Sequence, residues 1–379
     1  MNRFKIKTEV RFSDNALDTL HEFVGVNAVI ITDAFMVKSG VADKIAEKLK
    51  NCKSVHIFGD VVPNPPIELI TEGLHFLKNT DADVVIALGG GSSIDAAKAV
   101  VLMAKRGLEK KDLKLVAIPT TSGTGSEVTQ FAVITDNEKG VKYPLVDEEM
   151  LPDFAILDPT LVVSAPPGVT ADTGLDVITH AIEAYVSIHA NDASDALSEK
   201  ALRIAFRYLP KAFRNGADLK ARESMHSASC LAGMAFNEVN LGVNHSIAHG
   251  LGAKFHIPHG RANAMLLAHV VEYNADLENS FGTEGTHAAK KYAEVAKILG
   301  LPHSNIRVSV TNLVDEISFL CRMMKVPATL GEAGVTKEEY LSVKDEMIDA
   351  IMQDACLEAN PRPVTREDVE MILNKLAVF

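Results

Sequence analysis

Asp83–Gly90 reads DVVIALGG, and Gly91-Ser92-Ser93-Ile94-Asp95-Ala96-Ala97-Lys98 follows without a break. An apolar, β-branched run that ends in three glycines and then takes helical spacing reads as strand, tight turn and helix N-terminus. The run is continuously apolar rather than alternating, which predicts a strand covered on both faces, as in a parallel sheet. Glycines let a backbone approach a ligand closely, and the exposed N–H groups and dipole of a helix start favour an anion such as a phosphate. The stretch is not a Walker A loop, which needs Gly followed by Lys. It also departs from the GxGxxG fingerprint, because Ile94 stands where the third glycine belongs. The strand–turn–helix context favours phosphate binding, with a tight turn that holds no ligand as the alternative.

Moving outward, similar runs occur at Asn27–Asp33 (NAVIITD), Ser54–Asp60 (SVHIFGD) and Lys114–Thr121 (KLVAIPTT). Helical stretches at Val41–Lys50 and Pro66–Asn79 lie between them. This alternation predicts βαβ units and a parallel, Rossmann-like sheet. Two more β-like runs follow, Phe131–Asp136 and Phe154–Asp158. Phe4, Ile6, Thr8, Val10 and Phe12 alternate with polar residues, which predicts a half-buried strand, either within its own sheet or paired with a second subunit. After Ser164–Gly168 (SAPPG) the texture changes to long helical stretches: Thr173–Ser187, Ser194–Ala212, Ala221–Phe236 and Ala288–Leu299, with residues 337–379 reading the same way. A boundary at Pro166 and Pro167 predicts an α/β domain over residues 1–165 and an all-helical domain over 166–379.

The chain of 379 residues carries 50 acidic and 38 basic side chains, a net charge of −12. That balance argues against a nucleic-acid or anionic-membrane surface. No apolar run approaches the roughly 18–20 residues of a membrane span, and MNRFKIKTEVRF lacks the apolar core of a secretory signal. Cys52, Cys230, Cys321 and Cys356 form no CxxC pair, so a disulfide scaffold and a cysteine zinc ribbon are both disfavoured; free thiols of a cytoplasmic protein are expected.

A second small-residue loop, Pro119–Glu127 (PTTSGTGSE), follows the strand at Lys114. Two such loops at successive strand ends point to a phosphate- and ribose-bearing ligand, because ligands of open α/β sheets bind at that edge. Asp33 ends its strand. A carboxylate there can accept from an adenosine ribose and repel a 2′-phosphate, favouring NAD(H) over NADP(H), or it can cap a helix. Asp176 and His180 lie four apart in TGLDVITHAIEAY and share a helix face. Val243–Gly260 (VNHSIAHGLGAKFHIPHG) holds His245, His249, His256 and His259. One carboxylate with several imidazoles suits Fe, Zn or Mn, with an open position for substrate. Spacing does not say which histidines ligate.

GGGSSIDAAK (89–98), PTTSGTGSEVT (119–129), DVITHAIEAYVS (176–187) and NHSIAHGLGAKFHIPHGRANAMLL (244–267) resemble the signatures of the iron-containing (group III) alcohol dehydrogenases. The resemblance runs through Asn360-Pro361-Arg362-Pro363 and is greatest to the propanol and ethanol dehydrogenases of bacterial propanediol and ethanolamine utilisation. It implies a dehydroquinate synthase-like fold, with NAD(H) on the α/β domain and the metal on the helical one. It implies metal ligands Asp176, His180, His245 and His259, and a proton-handling His249 that is not a ligand. It implies cofactor contacts at Asp33, Asn64, Gly90, Gly91, Ser92, Asp95, Thr120, Thr121, Thr124, Val133 and Lys142, with Asp33 selecting NAD. The metal implied is Fe(II), with Zn(II) as the alternative. The reaction implied is hydride transfer between short-chain primary alcohols and aldehydes, such as 1-propanol/propanal, ethanol/acetaldehyde or 1,3-propanediol/3-hydroxypropanal. A polyol or hydroxyacid dehydrogenase of the same superfamily is the alternative. The same resemblance implies a homodimer or higher oligomer, in the cytoplasm or inside a bacterial microcompartment. A dehydroquinate synthase itself would want several cations beside the metal, and residues 243–260 offer only Lys254, with Arg261 just beyond.

Overall fold

The computed structural model describes residues 4–137, 141–278 and 285–379, and of Val141 and Lys142 the backbone alone. The chain divides between Ser164 and Ala165 into two compact units.

The first unit is built on strands β1 (Glu9–Phe12), β2 (Asn27–Asp33), β3 (Ser54–Val61), β4 (Val84–Gly89) and β5 (Lys114–Pro119), a hairpin of β6 (Phe131–Asp136) and β7 (Val141–Val146), and β8 (Phe154–Leu157). The six-stranded sheet has the order β1-β8-β5-β4-β2-β3, and every neighbouring pair is parallel. The continuous apolar runs have a simple cause. Alternate residues of one strand face opposite sides, and both sides are covered. Val29, Ile31, Val85, Ala87, Leu115 and Ala117 pack under helices α3 (Ile67–Thr80) and α4 (Gly91–Gly107), after the short α1 (Ala34–Lys38) and α2 (Val41–Lys48). Ala28, Ile30, Val84, Ile86, Leu88 and Val116 pack on the other face, against Leu20 and against Ala42 and Ile45 of α2.

From β2 the chain runs out to β3 and returns to β4 on the other side of β2. The order therefore reverses between β2 and β4, and their C-terminal ends, Asp33 and Gly89, flank the kind of crevice where such sheets take ligands. The alternation from Phe4 overstates the first strand, which begins at Glu9. Glu9 donates its N–H to the carbonyl of Asp153, and Thr8 turns its hydroxyl to the carbonyl of Pro152. Pro152 has no N–H to continue the ladder. Residues 131–136 do form a strand, but it pairs antiparallel with β7 and not with the main sheet.

Within its described residues the second unit is helical: α5 (Pro167–Val186), α6 (Asp192–Arg214), α7 (Leu219–Val239), α8 (Val243–Phe255), α9 (His259–Ala275), α10 (His287–Leu299), α11 (Ile306–Met323), α12 (Lys337–Ile351) and α13 (Arg366–Leu376). Every residue of α5 from Gly174 to Val186 is buried, so over this stretch the helix is packed on all sides. Gly174 admits Leu209 of α6; a Cβ there would stand 2.2 Å from Leu209 Cδ1. The stretch expected to be helical over 337–379 is instead two helices, separated by a 3-10 turn at Ala355–Ala359 and by Asn360–Pro363, where Pro361 and Pro363 lack the N–H a helix needs. No helix among the described residues is long and apolar enough to cross a membrane.

Candidate metal and cofactor sites

Asp176, His180 and Glu183 sit at i, i+4 and i+7 of α5 and so occupy one face of a buried helix. His245 enters from the first turn of α8, and His259 is the first residue of α9. Gly260 lets α9 start hard against α5: a Cβ there would lie 2.2 Å from the carbonyl oxygen of Asp172. Asp176, His180, His245 and His259 each offer a ligand atom, and these four atoms lie within 4.8 Å of one another. Asp176 Oδ1 is 3.9 Å from His245 Nε2 and 3.6 Å from His259 Nε2, and Asp176 Oδ2 is 3.9 Å from His180 Nδ1. The His180 ring is sandwiched between Phe236 and His245, with centroids 4.6 Å away on each side. His256, which spacing alone could not separate from the others, is outside this cluster. It takes a left-handed conformation (φ 55°) that ends α8 and turns the chain toward Pro258.

The donor set fits a divalent ion. The Nδ2 amide of Asn263 donates to Asp176 Oδ1 at 2.7 Å and lies 3.1 Å from both His245 Nε2 and His259 Nε2. A carboxylate and two imidazole lone pairs thus converge on one amide, an excess of acceptors that a cation resolves. Asn244 Nδ2 donates to Asn263 Oδ1 at 2.9 Å, which sets the amide's orientation. Asp176, His180 and His245 are buried, whereas the His259 side chain is 41% exposed and that of His249 40%. The cluster is closed on three sides and accessible on one, as a catalytic rather than a structural metal site requires.

Behind the cluster, His245 Nδ1 donates to Glu183 Oε2, which leaves Nε2 as its ligand atom. Glu183 Oε1 accepts from the N–H of Asn244 at 2.8 Å, and Asn360 Oδ1 accepts from the N–H of Val243 at 3.2 Å. The start of α8 is therefore capped by two distant side chains. They need Gly242, where a Cβ would lie 2.7 Å from Asn360 Oδ1 and 2.8 Å from Glu183 Oε1. Burial pushes the Glu183 carboxyl up, against the pull of these amides. Burial and the neighbouring imidazoles hold His245 well below its ordinary value, so it stays neutral with a free lone pair. His249, one turn further along α8, stacks on His259 and donates from Nδ1 to Asp354 Oδ2 at 2.7 Å. Against burial, His249 and the Cys356 amide bring the Asp354 carboxyl down to about 2.

In the first unit, Gly89 has φ 142°, open to glycine alone, and a Cβ there would meet Ser93 Oγ at 2.5 Å. Gly90 precedes α4, whose start has no side-chain cap. The second loop lies against the first. The N–H of Thr120 donates to the Gly89 carbonyl at 2.9 Å, a Cβ on Gly91 would sit 2.8 Å from Thr124 Cγ2, and one on Gly90 would sit 3.5 Å from Thr121 Oγ1. Gly90, Gly91, Ser92, Thr120, Thr121 and Thr124 are thus brought together. Asp33 caps α1 through Oδ1, which accepts from Phe35 and Met36, while Ser93 Oγ lies 3.4 Å from Oδ2. Asp95 accepts from Ser126 Oγ at 2.6 Å and from the N–H of Val133 at 3.0 Å, so it ties the second loop to β6. Asn64 is exposed with φ 54° in the turn that leads to Pro65, whose carbonyl accepts from Thr135 of β6. The backbone of Lys142 pairs with Thr135 in β7, and its side chain lies outside the described residues.

The model of the iron-containing alcohol dehydrogenases matches residues 7–159, and that of the C-terminal part of the Fe-containing alcohol dehydrogenase family matches residues 170–377. The chain is 42% identical to a 1-propanol dehydrogenase of Citrobacter freundii, over 99% of this chain and 100% of that protein. The chain belongs to the iron-containing alcohol dehydrogenase family. A 1-propanol dehydrogenase of Salmonella typhimurium is 40% identical over the same shares. Among solved structures, a 1,3-propanediol oxidoreductase superposes with a TM-score of 0.89 at 32% identity, covering 99% of this chain and 100% of the other. The parallel-sheet unit followed by an all-helical unit is the group III alcohol dehydrogenase fold. As an iron-containing alcohol dehydrogenase, the protein is a metal-dependent, NAD(H)-linked oxidoreductase acting on CH–OH groups.

The sequence reading passed over three residues of this site. Glu183 carried a signal, since it is seven residues past Asp176 on the same helical face. Asn263 also carried one, four residues past His259 on the same helix; Asp354 carried none, because it meets His249 from more than a hundred residues away. In the first unit it passed over Lys98, which is fully buried and donates to Ser126 Oγ, Thr129 Oγ1 and the Phe131 carbonyl. Burial lowers its ammonium to about 8.

Proposed function

We propose that this protein interconverts short-chain primary alcohols and aldehydes, 1-propanol and propanal foremost, using NAD(H) and an Fe(II) held by Asp176, His180, His245 and His259. Zn(II) is the alternative ion. The observation that carries this reading is the convergence of one carboxylate and three imidazoles on a single accessible point, with a further imidazole, His249, stacked beside it. Full-length similarity to two 1-propanol dehydrogenases supports the substrate class.

In this reading the bound ion supplies Lewis-acid activation of the substrate oxygen, and the nicotinamide supplies the hydride chemistry. Glu183 holds His245 in the tautomer that leaves Nε2 free. His249 exchanges the hydroxyl proton with the substrate, and its exposed edge lets that proton pass to water. Gly90, Gly91, Ser92, Thr120, Thr121 and Thr124 form the cradle for the pyrophosphate and ribose.

The test is NADH oxidation with acetaldehyde, propanal, 3-hydroxypropanal and lactaldehyde, using protein purified without air and divided into chelated, Fe(II)-reloaded and Zn(II)-reloaded portions. Turnover restored by one ion, with propanal favoured, is the expected result. No turnover with any aldehyde or ion would discard the reading in favour of a polyol or hydroxyacid substrate.

Asp33 gives a separate test of the cofactor assignment. In this reading its Oδ2, beside Ser93 Oγ, accepts from a ribose hydroxyl and repels a 2′-phosphate. Glycine at an N-cap costs only a few tenths of a kcal/mol relative to Asp, so Asp33→Gly should fold normally. The ratio of kcat/KM with NADPH to that with NADH should rise by about tenfold, equivalent to about 1.4 kcal/mol. An unchanged ratio would leave Asp33 as a cap and nothing more.

A further inference from the structure

We propose that Asp354 is a positioning residue that fixes the tautomer of His249, and thereby selects the ring nitrogen that takes the substrate proton. This rests on the role given to His249 above. The carboxylate of Asp354 divides its two oxygens. Oδ1 accepts from the N–H of Cys356 at 2.9 Å and from Ser246 Oγ at 3.1 Å; Oδ2 accepts from His249 Nδ1 at 2.7 Å. Ser246 and His249 are three residues apart on α8, so one carboxylate grips one face of the helix at two points.

An ionised carboxylate only accepts hydrogen bonds. The hydrogen of a neutral His249 ring is therefore on Nδ1, and the lone pair is on Nε2. The ring also stands nearly parallel to that of His259, at 19° with centroids 5.4 Å apart, which restricts its rotation. In alcohol oxidation the hydroxyl proton passes to Nε2, the hydride leaves carbon for NAD⁺, and the C–O bond becomes C=O. The imidazolium then gives a proton to water, so that alcohol and NAD⁺ yield aldehyde, NADH and one proton.

Asp354 also caps the 3-10 turn Ala355–Ala359. A cap alone would be a structural role, and two variants separate the two roles. Asn caps about as well as Asp, so Asp354→Asn keeps the shape and the cap. With its oxygen held by Cys356 and Ser246, the amide nitrogen faces His249 Nδ1 and donates to it. That forces the ring hydrogen onto Nε2 and removes the base, the wrong-tautomer effect of an isosteric amide. Asp354→Ala loses the cap but leaves Nδ1 free to donate to water. The inference is thus that the conservative variant is the worse enzyme: kcat for alcohol oxidation should fall roughly 10–100-fold in Asp354→Asn and lie below that of Asp354→Ala. Metal content and the KM for NAD⁺ should stay at wild-type values in Asp354→Asn.

The independent readout is ¹⁵N NMR of histidine-labelled, Zn(II)-reloaded protein, with His249 assigned by difference from His249→Gln. Nδ1 should carry the hydrogen in the wild type and Nε2 in Asp354→Asn. The same tautomer in both proteins, or a kcat of Asp354→Ala below that of Asp354→Asn, would overturn the proposal. Wild-type turnover by His249→Gln would overturn the reading of His249 beneath it. Loss of turnover there, with wild-type turnover in Asp354→Asn, would overturn the role of Asp354 alone.

Discussion

His259→Ala is expected to leave the protein folded and to remove metal and turnover together. Among the four converging residues His259 is the most exposed, and it stands at the first position of α9, so its truncation opens no buried cavity. A helix can begin on Ala there at little cost. What goes is one of three imidazole donors. Loss of an outer partner of a metal ligand costs roughly 10–100-fold in affinity or activity, and loss of the ligand itself should exceed that. The measurement is metal content per chain in the purified variant, taken alongside kcat and the melting curve of the metal-free form. Full occupancy in the variant would remove His259 from the set of ligands.

Glu183→Ala should do nearly the reverse: it should damage the fold first and metal binding through it. The carboxylate is buried, accepts from Asn244 N–H at the start of α8, and holds His245 Nδ1. Its removal deletes a cap worth about 1 kcal/mol and strands buried donors at about 1–3 kcal/mol. The metal-free variant should therefore be less stable by about 2–4 kcal/mol in denaturant unfolding. His245 would be free to rotate or to change tautomer, and affinity for Fe(II) or Zn(II) should drop roughly 10–100-fold. The capping bond from Asn360 to Val243 remains, so α8 should still form. Wild-type metal affinity in a folded Glu183→Ala protein would show that Glu183 caps the helix without aiming the ligand.

Much of the first unit could be read from its residues because both faces of its sheet are buried. Burial on both faces writes itself as uninterrupted Val, Ile, Leu and Ala in β2, β4 and β5. The start of β1 could not be read, since it depends on Pro152, more than a hundred residues away, just before the partner strand. Helix α11 went unremarked although Val310, Leu313, Ile317 and Leu320 carry its period. In the second unit, Asp176 and His180 were visible as a pair because a helix fixes their relation locally. The choice among His245, His249, His256 and His259 was not, because it turns on where α8 stops. One left-handed residue, His256, re-aims everything after it, and four histidines within fifteen residues look alike until that turn is known.

The placement of Asp176, His180 and Glu183 along one stripe of α5 also bears on how this chain can vary. A substitution alters one side chain and leaves the stripe in place. A single inserted or deleted residue between 176 and 183 would swing everything downstream by about 100° around the helix axis. It would carry His180 or Glu183 into the apolar packing that surrounds α5 on its other sides. This segment should therefore tolerate a volume-conserving substitution between these residues better than any change in its length.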